Sequence, residues 1–144
     1  MSGPYTIDAS VFLNAFNPME NGSEISQEVL RRMQIQAIPI IAPTLLLPET
    51  AAAISRGQDN PELGRQFALT LQRLPHLLLI PLDLILAQQA LEIASIYRLR
   101  GSDAVYAAVA QRFACPLVTL DREQQARVSA VLKAYPPSEL LPSL

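Results

Sequence analysis

The chain has 144 residues, half of them hydrophobic and 17% charged, with a formal net charge of −2 at pH 7. That length suits one domain able to bury a core. The acidic balance argues against a protein that coats nucleic acid non-specifically, though not against a nuclease with few, local contacts.

The opening MSGPYTIDAS has no basic stretch followed by an apolar one, so no secretory signal is expected and the chain reads as cytoplasmic. Residues 5–7 predict a short strand ending at Asp8. Residues 23–37 predict a helix with Ser23 as N-cap and Ile25, Val29 and Met33 recurring at four-residue steps. IPIIA, 38–42, is a buried strand by its β-branched, apolar content. Residues 43–57 predict a helix that stops at Gly57, with Pro48 either kinking it or starting its regular part. Asn60 and Pro61 open a helix over 59–74.

HLLLIPL, 76–82, predicts a strand. The following helix is capped by Asp83 and places Leu84, Ala87, Leu91 and Ala94 on one side. Pro81 and Asp83 interrupt this apolar region, and no run reaches the roughly 20 residues of a membrane span. RLRGSDAVYAAVAQ, 98–111, predicts a helix whose residues 104–110 suit burial. CPLVTL, 115–120, predicts a strand; its Cys115 is the only cysteine, which excludes an internal disulfide and a thiolate zinc cluster. A helix is expected over 121–134, and the proline-rich 135–144 as an irregular tail. Short strands alternating with helices predict one α/β domain over 1–144, a three-layer α/β/α sandwich on a mostly parallel sheet.

In such a sheet, sites form beyond the carboxyl ends of the strands. Asp8 and Asp121 end the first and last expected strands, Asp103 starts the helix before the last, and Glu49 lies a turn inside the helix after the second. Singly, each has an ordinary explanation. Asp121 with Gln124 makes a capping box, Asp103 suits a helix dipole, Asp8 a turn, and Glu49 a solvated first turn. Asp8 and Asp103 nevertheless sit in apolar sequence, where an unpaired charge is costly.

Together, TIDASVFL, LLLPETAAAI, LRGSDAVYAAVA and PLVTLDREQ, in this order, resemble the PIN-domain nucleases, and among them the toxins of VapBC-type toxin–antitoxin pairs. The likeness runs from about Tyr5 to Val128. It matches a first-strand acid and small polar residue at Asp8 and Ser10, and an acid in the second conserved helix at Glu49. An RG-x-DA motif is matched at Arg100, Gly101, Asp103 and Ala104, and a T-x-D strand end at Thr119 and Asp121. The chain departs at Gln124, where such toxins often carry an aromatic or apolar residue.

The resemblance implies a PIN-like fold and a Mg²⁺- or Mn²⁺-dependent endoribonuclease leaving a 5′-phosphate and a 3′-hydroxyl. Asp8, Glu49, Asp103 and Asp121 would be catalytic metal ligands, since hard cations favour carboxylate oxygens. Ser10 and Thr119 would orient them, and Arg100 and Arg122 would meet RNA phosphates or else pair with the acids. It also implies an antitoxin protein as partner and a homodimer, with helices 21–37 and 59–74 as contact surfaces. Arg31 and Arg32 read as a solvated face, His76 has no acid near it in sequence, and Cys115 reads as a core residue.

Two other Mg²⁺-using folds fail on residues. A receiver domain needs an acidic pair after the first strand and a lysine ending the last, but Ala9 and Ser10 follow Asp8, and Lys133 lies deep in the expected last helix. A haloacid-dehalogenase phosphatase needs an acid where Ser10 stands. The alternatives inside the fold are a PIN nuclease of RNA processing and a non-catalytic module binding RNA or protein.

Overall fold

A computed structural model describes residues 3–144. In chain order the elements are β1 (Thr6–Ile7), α1 (Ala9–Phe16), α2 (Ser23–Ile35), β2 (Ile40–Pro43), α3 (Leu46–Gly57), α4 (Pro61–Gln72) and β3 (Leu77–Ile80). They continue with α5 (Leu84–Tyr97), α6 (Gly101–Arg112), β4 (Leu117–Val118), α7 (Arg122–Val128), β5 (Ala134–Tyr135) and α8 (Pro137–Leu140). All strand pairs are parallel: β1 with β4, β4 with β5, and β2 with β3. A parallel bridge between Tyr5 and Ile40 joins the two groups, giving the order β3-β2-β1-β4-β5. The expected α/β sandwich is therefore present, with its order reversing between β1 and β4.

Alternation along β2 shows how the sheet divides two cores. Ile40 and Ala42 face a cluster with Phe12, Val29, Met33 and Leu140, whereas Ile41 faces one with Leu86, Ala90, Ile93 and Val128. Each of the larger side chains among them, when fully buried, contributes about 1.5–3 kcal/mol. Helix α6 runs between sheet and α5, which is why every residue from Ala104 to Ala110 is buried. Gly64 allows α4 to lie against α3: a Cβ there would stand 2.4 Å from the Ala51 carbonyl oxygen.

Several local expectations are corrected. Gly22, at φ +81°, occupies the N-cap of α2 in place of Ser23, which is its first helical residue. Gly57 is still helical, and Gln58 is the cap. Pro48 lies in the first turn of α3, where a missing N–H costs nothing. On α5 the core takes Leu86, Ala90 and Ile93, leaving Leu84 and Leu91 exposed; a helix apolar on every side carries no periodic signal for its inward face.

The last expected helix stops at Val128, and residues 135–144 are ordered into the fold rather than irregular. The buried backbone of β4 needs partners on both edges. Leu117 N–H finds the Lys133 carbonyl at 2.8 Å and Thr119 N–H the Tyr135 carbonyl at 3.1 Å, which draws 134–135 into the sheet as β5. Pro137 then opens α8 at its first position, and Leu140 is buried.

Candidate active site

Asp8 follows β1 and caps α1, its Oδ2 accepting from Ser10 N–H at 3.0 Å. Asp121 closely follows β4 and caps α7, its Oδ1 accepting from Glu123 N–H at 3.0 Å and Gln124 N–H at 3.2 Å. Because β1 and β4 are paired neighbours, these acids flank the point where the strand order reverses, the usual ligand crevice of an open parallel sheet. Glu49 comes from the first turn of α3 after β2, and Asp103 from the first turn of α6. The four acids named from the sequence thus share one edge, and each of the three more buried ones feels the charge of another.

Burial is the main force on them. Asp8 is 8% exposed, and desolvation raises its pKa against the pull of the Ser10 hydrogen bonds, with the charge of Asp103 adding to the rise. Glu49 is raised by burial, eased by the adjacent Tyr106 hydroxyl, and pushed further by Asp8 and Asp103. Asp103 is raised by burial, restrained by Arg100, and pushed up again by Asp121 and Glu123. Tyr106 is driven far above the usual phenol range by burial and by Glu49 and Asp8. Among the described residues, Glu49 Oε1 and the Tyr106 hydroxyl are both buried without a hydrogen-bond partner.

A polar network ties the edge together beneath these acids. Thr119 Oγ1 lies 2.9 Å from Gln124 Oε1, 3.4 Å from Asp8 Oδ2 and 3.4 Å from Ser10 Oγ, and accepts Asp121 N–H at 3.1 Å. A hydroxyl has one proton to give, and the shortest contact sends it to Gln124. Gln124, 1% exposed, uses its Nε2 to donate to the Asp103 carbonyl at 3.3 Å. The expected capping box is therefore half made: Asp121 caps, but the Gln124 side chain serves Thr119 and α6. Ser10 and Thr119 both lie against Asp8, while the parts of Gln124 and Tyr106 were not expected from the sequence. Tyr106 lies three residues after Asp103 on one helix, a spacing that puts both on one face.

Arg100 donates to Asp103 at 3.2 Å and to Asp121 at 3.3 Å, with its side chain 78% exposed. Beside it opens a cleft of about 240 Å³ lined by Arg98, Arg100, Asp103, Asp121, Glu123 and Arg127 among others. Arg122, at the exposed start of α7, does not line it. The remaining expectations are simple placements. Arg31 and Arg32 pair with Glu28 on an outer face; Cys115 is buried 3.3 Å from Thr6 Oγ1. His76 lines pockets away from the acids, its pKa lowered by burial.

Among the described residues, no three Asp, Glu, His or Cys side chains are already closed around one point. The donor set nonetheless fits a hard divalent cation. It is all oxygen, it includes a buried carboxylate oxygen without a partner, and its members raise one another's pKa, as like charges sharing a site do.

Fold and edge define a class: a parallel α/β domain with four acids gathered at its switch point. The chain belongs to the PIN-domain family, whose model matches residues 5–131. A search of curated protein sequences gives no significant match. Among solved structures, FitAcB from Neisseria gonorrhoeae is similar at TM-score 0.71 and 16% identity, over 94% of this chain and 99% of that one. A toxin–antitoxin complex from Klebsiella pneumoniae aligns at 0.65 and 16%, over 92% and 97%. VapC20 of Mycobacterium tuberculosis, a sarcin–ricin loop cleaving toxin, aligns at 0.65 and 18%, over 85% and 93%.

Proposed function

We propose that the protein is a Mg²⁺- or Mn²⁺-dependent endoribonuclease and the toxin of a toxin–antitoxin pair, acting in the cytoplasm. The observation that carries this reading is the gathering of Asp8, Glu49, Asp103 and Asp121 at one sheet edge, braced by Thr119 and Gln124. Family membership supports a nuclease, and the toxins among the structural neighbours support the biological role.

The four acids would hold the ion. When bound, it supplies charge to the scissile phosphodiester and lowers the pKa of an attacking water. Thr119, through Gln124 and Asp121 N–H, fixes the spacing between the β4 end and α6, and Ser10 N–H orients Asp8. Arg100 is placed to turn its exposed guanidinium from the carboxylates to a phosphate.

Two surfaces support partners. An apolar groove of about 520 Å³ between α3 and α4, lined by Leu47, Ala51, Ala68 and Leu69 among others, suits an antitoxin helix and involves the expected 59–74 surface. Leu78, Leu82, Leu84, Ile85, Leu91 and Ile96 are exposed on the edge strand β3, the turn after it and α5, and suit a second copy better than 21–37 does. A Leu91→Lys variant that runs as a monomer beside a dimeric wild type supports that face; a wild-type monomer contradicts the dimer.

The deciding experiment is a cleavage time course on structured and single-stranded RNA, with Mg²⁺, Mn²⁺ or EDTA, for wild type and Asp103→Asn. Metal-dependent cutting lost in the variant is expected. Equal cutting by both would remove Asp103 from the site. Growth arrest on expression, relieved by a small co-expressed partner, is expected of a toxin and not of an RNA-processing enzyme.

A further inference from the structure

The cleft beside Asp103 and Asp121 is not accounted for by the metal site. Three of its walls are arginines, drawn from two places in the chain: the α5–α6 turn gives Arg98 and Arg100, and the last turn of α7 gives Arg127. Lys133 is the single lysine among 11 basic residues, so three of the ten arginines open onto this one space. With a net charge of −2, the chain has no global field to hold a polyanion. Any grip on nucleic acid must be local.

Local architecture keeps two of these guanidiniums, those of Arg100 and Arg127, in place. Arg127 donates to the Arg98 carbonyl and pairs with Glu123, so α7 is tied to the turn ending α5. Arg98 closes α5 in the left-handed region, at φ +57°, where glycine or asparagine is the usual residue. An L side chain there costs about 1–2 kcal/mol, more than the few tenths to about 1 kcal/mol a cation gains at an exposed helix C-terminus. Among the described residues Arg98 has no ion-pair partner within 4.0 Å, in contrast to Arg100 and Arg127.

We infer that Arg98 and Arg127, with Arg100, form a phosphodiester-binding cleft that holds the RNA strand on the α5–α6 turn side of the four acids. Planar guanidiniums bind phosphate oxygens in pairs. The acids would hold an ion that meets one phosphate, while the arginines receive a neighbouring one. Arg122, outside the cleft, takes no part. This assignment rests on the nuclease reading for its substrate, yet it is tested by binding and not by cutting.

The test uses the full-length protein and a labelled short single-stranded RNA, with Ca²⁺ in place of Mg²⁺ and the oligomer checked for integrity by gel. Binding is followed by fluorescence anisotropy across a salt series for wild type, Arg98→Gln, Arg127→Gln and a distant control, Arg56→Gln. Each cleft variant is expected to weaken binding roughly three- to tenfold and to shallow the slope of log affinity against log salt by about 0.7. Arg56→Gln should change neither, and Mn²⁺ affinity should be unchanged in all. Arg98→Gln is the cleaner variant, because among the described residues its side chain makes no hydrogen bond or ion pair, whereas that of Arg127 does. Wild-type affinity and slope in Arg98→Gln, or equal loss in Arg56→Gln, would overturn the cleft. Arginine-dependent binding by a protein that never cuts RNA would keep the cleft and defeat the nuclease reading. Cutting that is indifferent to both cleft variants, with RNA binding unchanged, would do the reverse.

Discussion

Two pairs of acids meet at one edge, and the fold treats them differently. Asp8 and Asp121 are N-caps, each fixed by backbone N–H groups of the helix it starts. Glu49 and Asp103 stand inside first turns without any such anchor; among the described residues Glu49 keeps a buried oxygen unpaired, and the Asp103 carboxylate is met only by an exposed arginine. The first pair therefore belongs to the architecture whether or not a metal is present. Glu49 and Asp103, and with them the buried Asp8, would cost a metal-free fold free energy that a bound ion would offset.

The largest effects should separate the pairs. Asp8→Ala and Asp121→Ala are expected to lose cleavage by at least about a hundredfold and also about 1 kcal/mol of stability from the lost cap. Glu49→Gln and Asp103→Asn should lose cleavage as severely, while the metal-free protein melts no lower than wild type. Denaturant unfolding of all four in EDTA reads the difference, and equal destabilisation throughout would erase it.

Next comes Gln124→Leu, which removes the closest acceptor of the Thr119 hydroxyl and the side-chain donor to the Asp103 carbonyl. It should cost about 1–3 kcal/mol and lower Mn²⁺ affinity roughly 10–100-fold. A variant with wild-type metal affinity would make the network merely structural.

The pH dependence is smaller and carries a definite sign. Asp8, Glu49 and Asp103 have folded-state pKa values raised by burial, so the native state binds more protons than the unfolded chain above the ordinary carboxylate range. Their contribution is greatest below a pH of about 4 and is lost as pH rises through the raised values. In EDTA, Asp103→Asn should flatten the fall in melting temperature over that window, and Mn²⁺ should stabilise wild type more at neutral than at acid pH. The smallest expected effect is that of Arg122→Gln, which should leave RNA affinity and cleavage unchanged where Arg98→Gln does not.

Much of this edge was legible beforehand because local rules and chemistry agreed there. Asp8 and Asp121 end strands and cap helices, and the motif context singled out Asp103 and Glu49. What escaped was set by contacts between distant segments. Gln124 has capping-box spacing from Asp121, and only its burial against α6 shows that its amide serves Thr119 and Asp103 instead. Arg98 and Arg127 are 29 residues apart, and nothing periodic links them. The inward face of α5 was hidden by apolar residues on every side, and β5 by the need of β4 for a second edge partner, which no local propensity expresses.

The most direct measurement is the affinity of Mn²⁺ for wild type and for Asp8→Asn, Glu49→Gln, Asp103→Asn and Asp121→Asn, by titration calorimetry at neutral pH. Saturable binding weakened at least about tenfold by every one of the four substitutions is the predicted result. Binding that any of the four leaves untouched, or no binding by the folded wild type, would contradict a single site built from all four acids.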